Sequence, residues 1–147
     1  MEVRVNTGHI GLNVTDLSRS ERFYSEALGL TPIGGSKDGD RRYTFLGDGT
    51  RLVLTLWEQS NGRFDAATPG LHHLSFQVDS ADAVRQAEER LRALGAKFVH
   101  EGLVAHAEGA DSGGIFFEDP DGTRLEIFTT SGVKGAPVAD GPACGFF

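Results

Sequence analysis

A single cysteine, Cys144, stands among the 147 residues, so no internal disulfide is available and nothing points to an oxidising compartment. Positive charge is scarce. With 14 Lys and Arg against 21 Asp and Glu, the net charge is −7, which argues against nucleic acid, because phosphate binding needs clustered cations. No apolar run approaches the roughly 20 residues of a membrane span. The opening MEVRVNTGH also lacks the apolar core of a secretion signal. What is present is an ordinary globular composition, 39% apolar and 24% charged, and the default expectation is a cytoplasmic enzyme or binding protein.

The chain says the same thing twice. GHIGLNV (Gly8 to Val14) precedes an amphipathic stretch ending EALGL, and HHLSFQV (His72 to Val78) precedes another ending RALGA. GDGTRLVL (Gly47 to Leu54) is echoed by PDGTRLEI (Pro120 to Ile127). Each half therefore reads as strand, helix and three strands, an α+β arrangement. We expect one domain over 1–130, with module one at 7–58, a linker at 59–69 and module two at 70–130. IGLNV and LSFQV alternate as half-buried strands do. The first helix is predicted to start near Asp16 or Ser18, with Ser18 and Glu21 as a capping box, and to run to Leu28. In the second, capped by Ser80, Val84, Ala87, Leu91 and Leu94 form one apolar stripe before Gly95. Further strands are predicted at 31–34, 41–47, 51–57, 96–101, 114–118 and 123–129. Arg41 and Arg42 read as a solvated hairpin. The segment 131–147 is rich in Gly, Pro and Ala and reads as an irregular tail, whose closing Gly145-Phe146-Phe147 is apolar enough to dock.

Alternation assigns faces. Ile10, Leu12 and Val14 are expected under the first helix, which turns His9, Gly11 and Asn13 away from it. In the second module Leu74, Phe76 and Val78 take the helix side, sending His73, Ser75 and Gln77 the other way. Arg124, Glu126 and Phe128 share the His73 face, and His72 lies on the helix side or at the strand entrance. Two imidazoles and a carboxylate at matching places of a duplicated unit are a donor set for a divalent metal: Fe(II), Mn(II), Ni(II) or Zn(II). The expected metal ligands are His9, His73 and Glu126. Val53, Trp57, Phe117 and Phe128 are the expected walls around a small-molecule substrate, and His106 and Glu101 are the candidates for acid–base help.

On HIGLNVTDLSRSERFYSEALGL, HHLSFQV and FFEDPDGTRLEIF, about residues 7 to 130, the chain resembles the vicinal oxygen chelate superfamily. That group includes glyoxalase I, extradiol dioxygenases, and fosfomycin- and bleomycin-resistance proteins. The resemblance implies two βαβββ modules in an incompletely closed eight-stranded barrel, with His9, His73 and Glu126 at the ligand positions. Glyoxalase I has a second carboxylate where this chain has Val53. Glu58, five residues on, is sent to the opposite face. Extradiol dioxygenases carry a tyrosine near Phe116 and Phe117, and fosfomycin-resistance enzymes a threonine at the place of Gly11. Two function classes are implied: a metal-dependent dioxygenase or lyase/isomerase, and a metal-free protein that sequesters an aromatic or antibiotic molecule. A homodimer is expected, since exposed sheet edges are usually covered. Were modules exchanged between chains, His73 is expected to come from a different chain than His9 and Glu126.

Overall fold

In the first half, a strand with alternating apolar residues leads into a helix that needs a cover for its apolar face. The computed structural model describes residues 1–139 and divides into two compact units, Met1–Gly62 and Arg63–Phe147. Cys144 and the Gly145-Phe146-Phe147 end of the tail lie outside the described residues. Among the described residues no helix is long and apolar enough to cross a membrane.

The first unit runs β1 (Ile10–Val14), α1 (Leu17–Leu28), β2 (Thr31–Ser36), β3 (Arg42–Gly47) and β4 (Leu52–Glu58). The sheet order is β1-β4-β3-β2, with β1 parallel to β4. Helix α1 packs on β2, β3 and β4, burying Leu17, Phe23, Tyr24 and Ala27 against Leu46, Leu54 and Leu56. Each of the buried Leu and Phe side chains contributes about 1.5–3 kcal/mol. The helix is capped by Asp16, in extended backbone, whose carboxylate accepts from Arg19 N at 3.0 Å. The capping box expected at Ser18 does not form. Ser18 already lies inside the helix, and Glu21 turns instead to the Thr44 hydroxyl (2.6 Å) and Lys37 (2.8 Å). Gly29, at φ +67°, gives the left-handed exit. Arg42 is likewise no solvated hairpin residue. It donates to Glu58 at 2.9 Å, and Glu58 in turn accepts from Leu17 N at 2.7 Å, a carboxylate placed at the positive end of α1.

The second unit runs β5 (Leu74–Gln77), α2 (Ala81–Ala93), β6 (Lys97–Phe98), β7 (Val104–Ala105), β8 (Gly113–Glu118) and β9 (Arg124–Thr129). Its sheet order is β5-β9-β8-β6, with β7 also on β8 and β5 parallel to β9. Ser80 caps α2 by accepting from Ala83 N at 3.1 Å. Val84, Ala87 and Leu91 are buried, and the helix covers β8 and β9. Of the strand expected at 96–101 only Lys97–Phe98 (β6) forms, and β7 follows at Val104–Ala105. Gly102, at φ +66°, turns the chain between them, which leaves His100 and Glu101 outside both strands.

The described part of the tail is irregular but docked. Val133 is buried with Ala81 and Ala105, Ala105 N donates to Pro137 O at 2.7 Å, and Val138 bridges Ala105.

Candidate functional site

Strand register decides which side chains meet. Ser75 sits beside Glu126 across the parallel β5–β9 pair, and Phe116 sits beside Glu126 across β8–β9. Leu125 and Ile127, buried neighbours of Glu126, face the other way, toward α2. A carboxylate with only 5% exposure must find partners, and Glu126 finds three. His106 Nε2 lies 2.6 Å from Oε1, while Ser75 Oγ donates to Oε2 at 3.0 Å. His73 Nε2 stands 3.8 Å from Oε2. An ionised carboxylate only accepts, so Nε2 of His106 carries the proton; Nδ1 lies 3.0 Å from the Ser112 hydroxyl, which donates to it when the ring is neutral. His106 is thus held at both nitrogens.

His73 precedes β5 by one residue, as His9 precedes β1. Burial pushes the His73 imidazole below its usual value; Glu126 opposes this, whereas His72 and Arg124 reinforce it. The neutral form, the one that binds metals, is therefore favoured. His72, which is exposed, brings its Nδ1 to 2.7 Å from Nδ1 of His73. When Nδ1 of His73 is the donor in that contact, Nε2, on the carboxylate side, is the unprotonated nitrogen of the neutral ring.

The aromatic lining corrects the expectation for Phe117. That ring is fully buried and pairs with Leu125 on the α2 side of the sheet. Its neighbour Phe116 takes the Glu126 face, with His106 and His100 edge-on at 6.4 and 5.7 Å. Phe128, as expected, lies on that face, 5.7 Å from the His106 ring. Gly114, opposite Phe128, has no room for a side chain: an added Cβ would run into Ile127 O and the Phe128 backbone. Glu101 is exposed.

In the first unit the equivalent face carries no carboxylate. Val53 is half-buried there, and Trp57 stacks on Tyr43 at 4.8 Å and donates to Thr55 Oγ1 at 2.9 Å. Gly11 lies alongside, where an added Cβ would be 3.2 Å from Thr55 Oγ1. Glu58 is on the α1 side, as its contact with Leu17 N requires. His9 is exposed. Sequence reasoning did not single out Tyr43, Phe45 or Phe116, although alternation within RYTFLG and GGIFFE carries the signal. For Ser112 no local signal exists, because a loop delivers it.

Among the described residues no group of three His, Cys, Asp or Glu side chains is already arranged to hold a metal ion. The donor chemistry of the second unit nonetheless fits one: a neutral imidazole and a buried carboxylate share a face, and the carboxylate's hydrogen bonds from Ser75 and His106 are exchangeable. His73 and Glu126 also belong to one unit, beside each other on paired strands. An exchange of modules between chains therefore cannot separate them, contrary to the sequence expectation.

Comparison with known proteins agrees with this duplicated architecture. The family model for the Glyoxalase/Bleomycin resistance protein/Dioxygenase superfamily matches residues 6–127. The chain belongs to that superfamily. A lactoylglutathione lyase of Haemophilus influenzae is 30% identical, over 86% of this chain and 93% of that protein. A trivalent organoarsenical cleaving enzyme of a Bacillus species is 27% identical, over 92% of this chain and 80% of the other. Among solved structures, a glyoxylase/bleomycin resistance protein/dioxygenase domain from Frankia sp. EAN1pec superposes with a TM-score of 0.73 at 27% identity, covering 87% of this chain and 93% of that one.

Proposed function

We propose that this superfamily member is a divalent-metal-dependent enzyme acting on a small molecule with adjacent oxygens. His9, His73 and Glu126 are the metal ligands in this reading, and His106 is the acid–base group. One observation carries it: a buried carboxylate has an imidazole at each of its two oxygens, on the sheet face turned away from the helix. Bound there, Fe(II), Mn(II), Ni(II) or Zn(II) supplies a Lewis acid and a template for two substrate oxygens. Everything else is the chain's own work. His73, kept neutral, offers Nε2. His106 holds a proton at Nε2, within reach of a group replacing its bond to Glu126, while Ser112 fixes its tautomer. Phe116 and Phe128 beside Glu126 supply apolar surface suited to a partly aromatic ligand, and Val53 and Trp57 are the walls proposed from the first unit.

Val53 sharpens the reaction class. A carboxylate there would complete four protein ligands; with valine, three would hold the metal and leave it open to substrate. With an acid–base histidine at hand, that favours dioxygenase-type over lyase- or isomerase-type chemistry. Arsenical cleavage is disfavoured, because trivalent arsenic is a soft centre held by thiolate pairs and this sequence has one cysteine. A cytoplasmic homodimer completes the reading.

The test is elemental analysis of protein purified without added metal, followed by oxygen uptake with a catechol panel and turnover of α-ketoaldehydes and epoxides. The expected result is bound metal, a higher Tm with Fe(II) or Mn(II), and oxygen consumption with a catechol. Less than about a tenth of an equivalent of any transition metal, with no gain in Tm on adding one, would leave the metal-free sequestering protein as the function.

A further inference from the structure

His106 is delivered to Glu126 by a loop, and loops are the mobile part of a fold. This loop is tied down at both ends by the segment that follows the last strand. At its start, Ala105 N donates to Pro137 O at 2.7 Å and Ala105 bridges Val138, while Ala139 packs on Val104 and Phe116. At its end, Val133 N donates to Asp111 O at 3.1 Å and Gly132 N to Asp111 Oδ1 at 2.9 Å. Between these ties, His106 N donates to Ser112 O at 3.0 Å, closing the loop on itself. Val133, buried with Ala81 and Ala105, anchors the crossing against the start of α2. Strand β9 is held differently, by its ladders to β5 and β8.

We propose that residues 131–139 are a strap whose role is to position His106 on Glu126, making Asp111 and Val133 positioning residues for the site although neither touches the carboxylate. The inference rests on the role assigned to His106 above, but its first readout does not depend on that role. An imidazole Nε2–H held by a carboxylate at 2.6 Å gives a distinctive proton and nitrogen resonance, assigned by its disappearance in His106→Gln.

In full-length Asp111→Ala/Val133→Ala, that resonance should collapse toward free imidazole and the His106 amide should exchange faster. Mn(II), titrated as the probe, should bind about tenfold more weakly, as expected when a group supporting a ligand is loosened. Asp111→Asn, which keeps the acceptor for Gly132 N, should restore the resonance lost in Asp111→Ala. Val84→Ala, in the α2 core of the same unit, is the control that lowers Tm and leaves the resonance in place. If the double variant loses Tm as Val84→Ala does but keeps the His106 resonance and amide protection, the strap only stabilises and the proposal falls. If Mn(II) fails to bind the parent protein, the metal reading falls instead, and the resonance alone decides the strap.

Discussion

The two units write nearly the same six residues at the start of their last strands, GDGTRL and PDGTRL, and build them differently. In the first, Asp48 organises the turn: its Oδ1 accepts from Thr50 N, Thr50 Oγ1 and Arg51 N at 2.8–3.0 Å, holding its carboxyl down to about 2. In the second, the aligned Asp121 yields that task to Asp119, two residues earlier, which accepts from Asp121 N at 2.8 Å and Thr123 N at 2.9 Å while buried. The strands that follow diverge as well. Where the second presents Glu126 with His73, Ser75 and His106, the first presents Val53 beside a stacked Tyr43 and Trp57. A duplicated scaffold has thus been divided into a donor half and an apolar half. The frame tolerates this because each face residue is chosen by its own neighbours, whereas the helix-facing residues must fit a packed core.

Five changes would break or sharpen that contrast. The largest effect is expected of Glu126→Ala: bound metal should be lost altogether, read by elemental analysis. Metal retained at the parent's stoichiometry would mean the donor half lies elsewhere. Next, Asp119→Ala strips a charged acceptor from two buried amides and should cost about 2–3 kcal/mol in urea unfolding. Asp48→Ala, on the surface, should cost clearly less; equal losses would make the two turns equivalent after all. Val53→Glu copies the donor half into the apolar one, placing a carboxylate at a half-buried position on the face that also carries Thr55 and Trp57. About 1–2 kcal/mol of destabilisation is expected, and its absence would show that this face is already wet.

The smallest effect concerns acid. Burial alone would raise Glu21, but hydrogen bonds from Lys37 and Thr44 and the charge of Lys37 outweigh it, and the carboxyl sits below its usual range. Its contribution is therefore complete above the usual carboxylate value and lost as pH falls through the lower folded one. Glu21→Gln should cost about 1 kcal/mol at neutral pH and flatten the acid limb of the stability curve. An unchanged acid limb would remove Glu21 from the account.

Periodicity made the helices and most strands legible, because a helix must bury one stripe and a strand one face wherever it lies. Hence Asp16 and Ser80 are the N-caps, and Leu12, Val14, Val84 and Leu91 lie in the core. Two expectations failed where alternation does not discriminate. GGIFFE offers adjacent phenylalanines, and only the β8–β9 register shows that Phe116, not Phe117, joins Glu126. The stretch 96–101 looked like one strand because nothing local weighs a turn at Gly102 against continued pairing.

By itself, the sequence determined the duplication, the α+β frame and the face on which Glu126 and His73 lie, since these follow from the two-residue and 3.6-residue periods of the backbone. Only the tertiary structure decided that His106 and Ser112 reach that carboxylate, and that the tail returns to bind their loop. Contacts of that kind join residues distant in the chain, and they depend on pairing register and loop closure, neither of which any local period encodes.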